Sequence, residues 1–216
     1  MSGSGIPGLD VSKWQGDVDF AAVAAAGPAF VYCRASYGTG PDSRIGDNWP
    51  KAKAVGLLRG AYHGLVAGED GAAQAQAFLG VFQGAGMGYG PGDLPPAADV
   101  EDQTALASDE AKAQYVEALR TWVATVGRAL GTTPVIYTGT WFWGALGNPP
   151  GFEACPLWIA RYGPEPGDLP PGWADWTFWQ HSGDGGCAGI AGAVDLDLFN
   201  GDRAALEALA IGARAT

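Results

Sequence analysis

The chain has 216 residues, of which 12 are Lys or Arg and 23 are Asp or Glu, so its formal net charge is −11. A chain this acidic excludes proteins that bind nucleic acid through its phosphates, because such binding needs a basic surface that displaces counterions. Hydrophobic residues make up 47% and charged residues 16%, which excludes a disordered chain and favours a folded core. The length fits one domain, since single α/β barrels commonly reach about 200–250 residues.

The first part of the chain alternates short apolar runs with helical stretches. Hydrophobic periodicity predicts strands at 8–12, 29–36, 57–65 and 94–101, and helices at 20–26, 48–55, 71–83 and 108–130. The fourth helix has the strongest signals, because Ser108 is a suitable N-cap, Asp109 and Glu110 lie in its first turn and Gly131 follows its end.

The second part contains four more strand-like runs and little helix. The strands are predicted at 134–140, 157–162, 177–182 and 193–199, with helices at 141–146 and 202–210. Five strand–helix units followed by three strands predict a single α/β domain, an irregular TIM-like (β/α)5(β)3 barrel, over residues 8–212 after a flexible N-terminus at 1–7. An open doubly wound sheet is the competing fold, but no Gly-x-Gly-x-x-Gly follows the first strand.

Several kinds of segment and site are not visible in the sequence. No apolar run approaches about 18 residues, and the N-terminus has neither a basic stretch nor an apolar core, so neither a membrane span nor a signal peptide is expected and synthesis is expected in the cytoplasm. The spacing of the three cysteines matches no zinc site, and neither a metal nor another cofactor is predicted.

Four acids fall on predicted strands. Asp10 lies in the first strand, Asp99 and Glu101 lie at the end of the fourth, and Asp195 lies in the last. Active sites of parallel barrels lie at the carboxyl ends of the strands. Asp99 and Glu101 are two residues apart on an extended segment, so their side chains are expected to share a face, where proximity and burial would raise the pKa of one of them.

A pair of carboxyl groups can cleave a glycosidic bond, because one protonates the leaving oxygen while the other attacks or stabilises the anomeric carbon. An isolated Asp-x-Glu is more often a solvated strand end. Here it occurs with nine Trp and seven Tyr residues, whose rings can stack on sugars or simply fill a core. Only two His residues are present, and no Ser/His or Cys/His arrangement is apparent.

The motifs resemble those of the family 25 glycoside hydrolases, the Chalaropsis-type lysozymes. Residues 8–16 read Gly-Leu-Asp-Val-Ser-Lys-Trp-Gln-Gly, similar to the family's Gly-x-Asp-x-Ser-x-x-Gln-Gly. Further similar segments follow in the family's order at 30–38, 55–63, 96–101, 135–138, 157–162 (Leu-Trp-Ile-Ala-Arg-Tyr), 178–180, 189–192 and 194–199. The resemblance therefore covers nearly the whole chain.

This resemblance implies a muramidase that cuts the β-1,4 bond between N-acetylmuramic acid and N-acetylglucosamine in peptidoglycan. It makes Glu101 the general acid and Asp99 the second catalytic carboxylate, which would orient the substrate's acetamido group or stabilise the ring. Whether the route is neighbouring-group attack or direct attack by water is left open. Asp10 and Asp195 would orient substrate and tune the pair, and three aromatic positions would line the cleft: Tyr62, Tyr137 and Trp158.

Two segments depart from the family pattern. The family's Lys-Ala-Thr-Glu-Gly is here residues 34–38, in which Arg34 replaces Lys and Tyr37 replaces Glu, and the family's Tyr-His-Phe ends here in Gly64. Arg34 and Tyr37 are predicted to contact substrate. Arg34 could pair with one of the cleft acids and lower its pKa, or equally be a surface residue. The departures leave open a catalytically weak or inactive wall-binding barrel. An amidase or peptidase is a third possibility, disfavoured by the lack of a metal triad or Cys/His pair.

Several further assignments complete the prediction. The predicted partner is peptidoglycan. The protein is expected to be a monomer without a separate wall-binding domain, and neither nucleic acid nor a membrane is expected as a partner. A phage or prophage endolysin, released to the wall through a membrane pore, is the expected origin. Asp197 shares a face with Asp195 and could replace it, whereas His63 is interpreted as a structural histidine.

Overall fold

The computed structural model describes residues 5–84 and 87–213. The strands are β1 (Ile6–Val11), β2 (Phe30–Tyr37), β3 (Gly40–Pro41), β4 (Leu58–Gly64), β5 (Ala97–Asp99), β6 (Val135–Thr138), β7 (Leu157–Ala160), β8 (Phe178–Gly185) and β9 (Val194–Phe199). The α-helices are α1 (Phe20–Ala26), α2 (Ile45–Ala54), α3 (Gly71–Val81), α4 (Asp109–Leu130), α5 (Thr140–Ala145) and α6 (Arg203–Ala208). Two 3₁₀ turns span Lys13–Gln15 and Gln103–Ala107.

Eight of these strands close into a barrel in the order β1, β2, β4, β5, β6, β7, β8, β9, and β9 returns to β1. The two-residue β3 only extends the edge of β2. The closed barrel, with helices after the first five barrel strands and little helix among the last three, confirms the predicted irregular TIM-like architecture and rules out the open sheet.

The last strand runs against its neighbours. Every pairing from β1 to β8 around the barrel is parallel, whereas β9 is antiparallel to both β8 and β1. Residues 186–193 join β8 to β9 without a helix, and a connection this short returns the chain beside itself, since a parallel return needs a crossover of about a dozen residues. The β9 end at the barrel's working face is therefore its amino end.

The barrel interior is filled by aromatic residues. Tyr32 on β2 lies 4.7 Å from Trp158 on β7, between ring centroids, although these strands are not neighbours, so the contact crosses the barrel. The alternate residues Val31 and Cys33 face the other way and join the core beneath the helices. Helix α4 contributes a stripe of four buried residues to that outer core: Tyr115, Leu119, Trp122 and Val126.

Some predicted boundaries differ from the structure. The strand predicted at 94–101 is only three residues long, because Pro95 and Pro96 have no N–H to join a ladder, and Glu101 lies beyond its end. Helix α2 begins at Ile45 rather than residue 48 and tolerates Pro50 in its interior, although proline normally ends a helix.

The N-terminal boundary also differs. Strand β1 begins at Ile6, where Ile6 and Pro7 pair with β9, so the predicted flexible segment overlaps the strand at these two residues, and residues 1–4 lie outside the described range. Within the described ranges, no helix has both the length and the apolar character needed to cross a membrane.

Candidate active site

A cavity of about 190 Å³ opens at the end of the barrel where the parallel strands finish. We call it the central cavity. It is lined by Asp10, Ser12, Trp14, Gln15, Arg34, Tyr62, Asp99, Glu101, Tyr137, Trp158, Gln180 and Asp195. The structure thus brings together all four predicted acids and four of the five predicted substrate contacts, the exception being Tyr37.

Each acid is placed by the end of a strand. Asp10 is the penultimate residue of β1, Asp99 is the last residue of β5 and Glu101 follows it by two residues. Asp195 is the second residue of β9 and pairs directly with Asp10 across the barrel closure. Active-site residues of parallel barrels lie at the carboxyl ends of their strands, whereas Asp195 lies at an amino end, because β9 is antiparallel to its neighbours.

The acids differ in depth. Asp10 is buried, Asp99 and Asp195 are half-buried, and Glu101 reaches solvent at the mouth of the cavity. Burial raises the pKa of Asp10 well above its ordinary value, and the charges of Asp195 and Glu101 raise it further. The pKa of Asp99 is likewise raised well above its ordinary value, first by burial and then by the charges of Glu101 and Asp10.

The other two acids are also shifted toward the protonated form. Partial burial within the cleft and the charge of Asp195 raise the pKa of Glu101, and burial raises the pKa of Asp195 to about 6. Four carboxyl groups that repel one another in a cleft shared with aromatic rings hold protons at a pH where an exposed acid has lost them. The cleft therefore favours the protonated form that a proton donor needs.

A hydrogen-bonded chain holds Asp10 in place. The amide nitrogen of Gln180 donates to Oδ2 of Asp10 at 2.8 Å, and the hydroxyl of Tyr137 donates to Oε1 of Gln180 at 2.8 Å. Gln180 lies in the family-like segment 178–180 but is not among the predicted site residues. That segment is the one sequence feature that could have identified it, because its partner Asp10 lies 170 residues away in sequence.

Trp158 forms the floor of the central cavity. Its indole N–H donates to Oδ1 of Asp197 at 2.9 Å, and its ring lies 5.0 Å from Tyr137 and 6.3 Å from Tyr62 between centroids. Asp197 is 1% exposed and supports this tryptophan from below, whereas Asp195 lines the cavity. The structure therefore favours Asp195 over Asp197 for the predicted role.

Arg34 has a partner that the sequence analysis did not identify. Its Nε lies 2.7 Å from Oδ2 of Asp42, a buried acid just beyond β3. Asp42 also accepts hydrogen bonds from the backbone N–H groups of Lys13 and Arg44. Arg34 is therefore neither a free surface residue nor paired with a predicted acid, although its charge still lowers the pKa values of Asp10 and Asp99.

The turn after β1 supplies further cavity residues that were not predicted. The side-chain oxygen of Gln15 accepts from the backbone N–H of Ser12, and the Ser12 hydroxyl accepts from the N–H of Trp14, which closes a tight capped turn. This turn leaves the Trp14 side chain 76% exposed at the rim. All three residues belong to the family-like motif at residues 8–16, which is the sequence feature that could have identified them.

Tyr37 lies in a neighbouring cavity of about 240 Å³ that shares Asp99 and Glu101 with the central one. We call it the Tyr37 cavity. His63, by contrast, is fully buried between the Ser36 hydroxyl at 2.8 Å and Oε1 of Gln74 at 3.1 Å, and burial lowers its pKa to about 4. The arrangement favours the structural role predicted for this histidine.

The raised carboxyl pKa values predict a dependence of stability on pH. An acid whose pKa is higher in the folded than in the unfolded state stabilises the fold below its unfolded pKa and loses that contribution as pH rises through its folded pKa. Asp10, Asp99, Glu101 and Asp195 all act in this direction. The contribution of these four acids to the free energy of unfolding is therefore expected to fall between about pH 4 and pH 7, whereas the lowered pKa of His63 acts in the opposite direction. Urea denaturation of the wild-type protein and of a variant that lacks one of the acids separates the two contributions.

The matched control is Asp10→Asn, which keeps the shape of the side chain and removes one of the titrating groups. Its free energy of unfolding should vary less with pH than that of the wild-type protein over the same interval. A pH dependence of Asp10→Asn equal to that of the wild-type protein would show that the pKa of Asp10 is not raised as the geometry indicates.

Together the barrel mouth, the carboxyl groups graded in depth and the aromatic floor define a glycoside hydrolase. The family model for glycosyl hydrolases family 25 matches residues 9–190. The chain belongs to this family, which confirms the resemblance seen in its motifs.

The relatives agree with this membership. Lysozyme M1 of Streptomyces globisporus is 35% identical over 215 residues, covering 96% of this chain and 72% of the relative. An N,O-diacetylmuramidase of a Chalaropsis species is 32% identical over 187 residues, covering 82% of this chain and 88% of the relative. The crystal structure of the bacterial lysozyme from Streptomyces coelicolor is similar at a TM-score of 0.86 and 34% identity, covering 96% of this chain and 97% of that one.

Proposed function

We propose that this protein is a peptidoglycan hydrolase that cleaves the β-1,4 bond between N-acetylmuramic acid and N-acetylglucosamine. The carrying observation is the placement of Asp99 and Glu101 in one cavity with Asp10 and Asp195, above an aromatic floor, in a member of glycosyl hydrolase family 25. Relatives named as a lysozyme and an N,O-diacetylmuramidase support this choice of substrate.

Glu101 acts as the general acid. It is the most exposed of the four acids, so its carboxyl group can reach the oxygen of a glycosidic bond lying across the cavity mouth. Its raised pKa favours the protonated form that a proton donor needs. After the proton is transferred, the resulting carboxylate can accept a proton from the water that completes hydrolysis.

Asp99 positions the sugar to be cleaved. Within the described part of the chain, its Oδ1 atom is buried and accepts no hydrogen bond. A buried acceptor without a donor is unfavourable, and the acetamido N–H of an N-acetylhexosamine can supply the missing bond. Fixing this N–H turns the acetamido oxygen toward the anomeric carbon, which favours neighbouring-group attack over direct attack by water.

The aromatic residues of the central cavity can bind sugar rings without using charged groups. Tyr62, Tyr137 and Trp158 line the central cavity, and sugar rings present C–H faces that pack on aromatic rings. Of the departures from the family pattern, Tyr37 and Gly64 lie in the neighbouring cavity and Arg34 lines the central one, and all four acids stay in place. No observation favours the inactive wall-binding alternative.

Analysis of the digestion products tests this proposal. Purified peptidoglycan is incubated with the protein, reduced with borohydride and analysed by mass spectrometry. We expect fragments that end in reduced muramic acid. Fragments ending in reduced glucosamine would indicate cleavage of the other glycosidic bond, new amino groups would indicate an amidase or peptidase, and no new ends would contradict hydrolysis altogether.

Other assignments from the sequence stay predictions. These are a monomeric state, the lack of any other partner or cofactor, the lack of a separate wall-binding domain, a phage or prophage origin, and cytoplasmic synthesis with later release to the wall. In the described ranges, no group of three or more His, Cys, Asp or Glu side chains is arranged to hold a metal ion.

A further inference from the structure

The Tyr37 cavity adjoins the reacting groups but plays no part in the chemistry described above. It is bounded by Tyr37, Gly64, Leu65, Asp102 and Gln103, together with Asp99 and Glu101, which it shares with the central cavity. A glycan bound across Asp99 and Glu101 in the central cavity can therefore extend directly into this second space.

Three strands bring its walls to the same level of the barrel. Tyr37 on β2 pairs with Gly64 on β4, and Gly64 pairs in turn with Asp99 on β5. The Tyr37 ring lies on the backbone of Gly64, because a Cβ atom at position 64 would be 2.4 Å from Cδ2 of Tyr37 and 3.0 Å from its Cε2. Non-bonded carbon atoms pack at about 3.5–4.0 Å, so only glycine leaves room for the ring.

Glycine at position 64 provides space rather than an unusual backbone conformation. Gly64 is not among the residues with positive φ, so alanine could adopt its backbone angles. The ring that it seats is 55% exposed, with one side on the Gly64 backbone. An aromatic ring supported on one side and open on the other, next to carboxyl groups, suits the apolar face of a sugar.

The opposite side of the barrel repeats this arrangement. Tyr162, just after β7, is 62% exposed, and its hydroxyl oxygen is 2.7 Å from the place where a Cβ atom on Gly183 of β8 would lie. In the closed order of strands, the pair β2 and β4 lies opposite the pair β7 and β8, and the acid-bearing β5 and β9 lie between them. A line from Tyr37 to Tyr162 thus crosses the line that joins Asp99 on β5 to Asp195 on β9.

We propose that the Tyr37 cavity is a saccharide subsite next to the cleaved bond, that Tyr37 is its stacking platform, and that Gly64 determines specificity by seating this ring. This inference rests on the proposed function. Because the charged lining is acidic, the occupant is a neutral sugar, and in an alternating glycan the unit bonded to the muramic acid at the acids is N-acetylglucosamine. The glycan runs across the barrel mouth from Tyr37 toward Tyr162.

Four variants test the subsite on soluble, peptide-free peptidoglycan glycan chains. Tyr37→Ala should raise KM about tenfold and leave kcat within about twofold, because the lost contact binds substrate without taking part in the reaction. Tyr37→Phe should stay close to wild type, since the ring and not the hydroxyl is used. Gly64→Ala should match Tyr37→Ala, and the double variant should be no worse than either single one.

Trp141→Ala is the matched control, because this tryptophan is 68% exposed and lines neither cavity. Its KM should equal that of wild type. All variants are checked for folding by circular dichroism and thermal unfolding. An unchanged KM in a folded Tyr37→Ala protein overturns the proposal, as does a folded Gly64→Ala protein that behaves like wild type.

Binding separates this inference from the proposed function. In a Glu101→Gln background, tryptophan fluorescence gives the Kd for the same glycan chains without turnover, and adding Tyr37→Ala should raise this Kd about tenfold. Such a result would support the subsite even if wild type released no muramic acid ends. Equal Kd values, or no measurable binding by the Glu101→Gln protein, would overturn the subsite even if wild type hydrolysed peptidoglycan.

Discussion

Glu101→Gln is expected to lower kcat on peptidoglycan by about a thousandfold or more, because the amide cannot donate the proton that the leaving oxygen needs. Glutamine keeps the size and hydrogen-bonding capacity of the side chain, and Glu101 lies at the open mouth of the cavity, so binding and folding should be nearly unaffected. The measurement is the rate of appearance of reducing ends, with KM and the thermal unfolding midpoint determined on the same protein.

Glu117→Gln provides the matched control for this experiment. Glu117 is an exposed acid on the outer face of α4 and lines neither the central nor the Tyr37 cavity, so its replacement removes the same charge without touching the site. It should retain the wild-type rate. Full activity in Glu101→Gln would show that another group donates the proton and would remove the assignment of Glu101.

Asp99→Asn is expected to lower kcat by about a hundredfold to a thousandfold while making the protein more stable at neutral pH. The amide presents an N–H₂ group or a weaker acceptor where the substrate's N–H must be held. It also removes a charge that burial, Glu101 and Asp10 disfavour, so the free energy of unfolding at neutral pH should rise by about 1 kcal/mol.

The two effects have opposite signs, and together they distinguish a site residue from a structural one. Urea denaturation near neutral pH gives the stability, and the release of reducing ends gives the rate. A variant that lost both activity and stability would indicate that Asp99 supports the fold rather than the reaction. Increased stability without loss of activity would show that its charge is not used.

The barrel and the acids could be predicted because their signals are local. The helix α4 has its cap, its acidic first turn and its terminal glycine within one segment, and Asp99 and Glu101 lie two residues apart. The direction of β9 could not be predicted in this way. The motif containing Asp195 shows that an acid is present, but only the connection between β8 and β9 shows which end of the strand reaches the cavity.

The contacts that sequence reasoning missed join distant segments. Gln180 reaches Asp10 across the whole chain, and Asp42 holds Arg34 although nothing in the residues around Asp42 marks it as a partner. Tyr37 and Gly64 were recognised as two separate departures from a family pattern. Their packing against each other depends on the register between β2 and β4, which neither segment encodes alone.

The pairing of β1 with β9 also has a consequence for biosynthesis. Asp10 leaves the ribosome long before Asp195 is synthesised, yet the two face each other where the barrel closes. A growing chain that already contains Asp10, Asp99 and Glu101 still has an open sheet without its final strand. Because the chain must close over such a long sequence separation, the complete set of acids forms only after translation has passed β9, and nascent chains do not carry it.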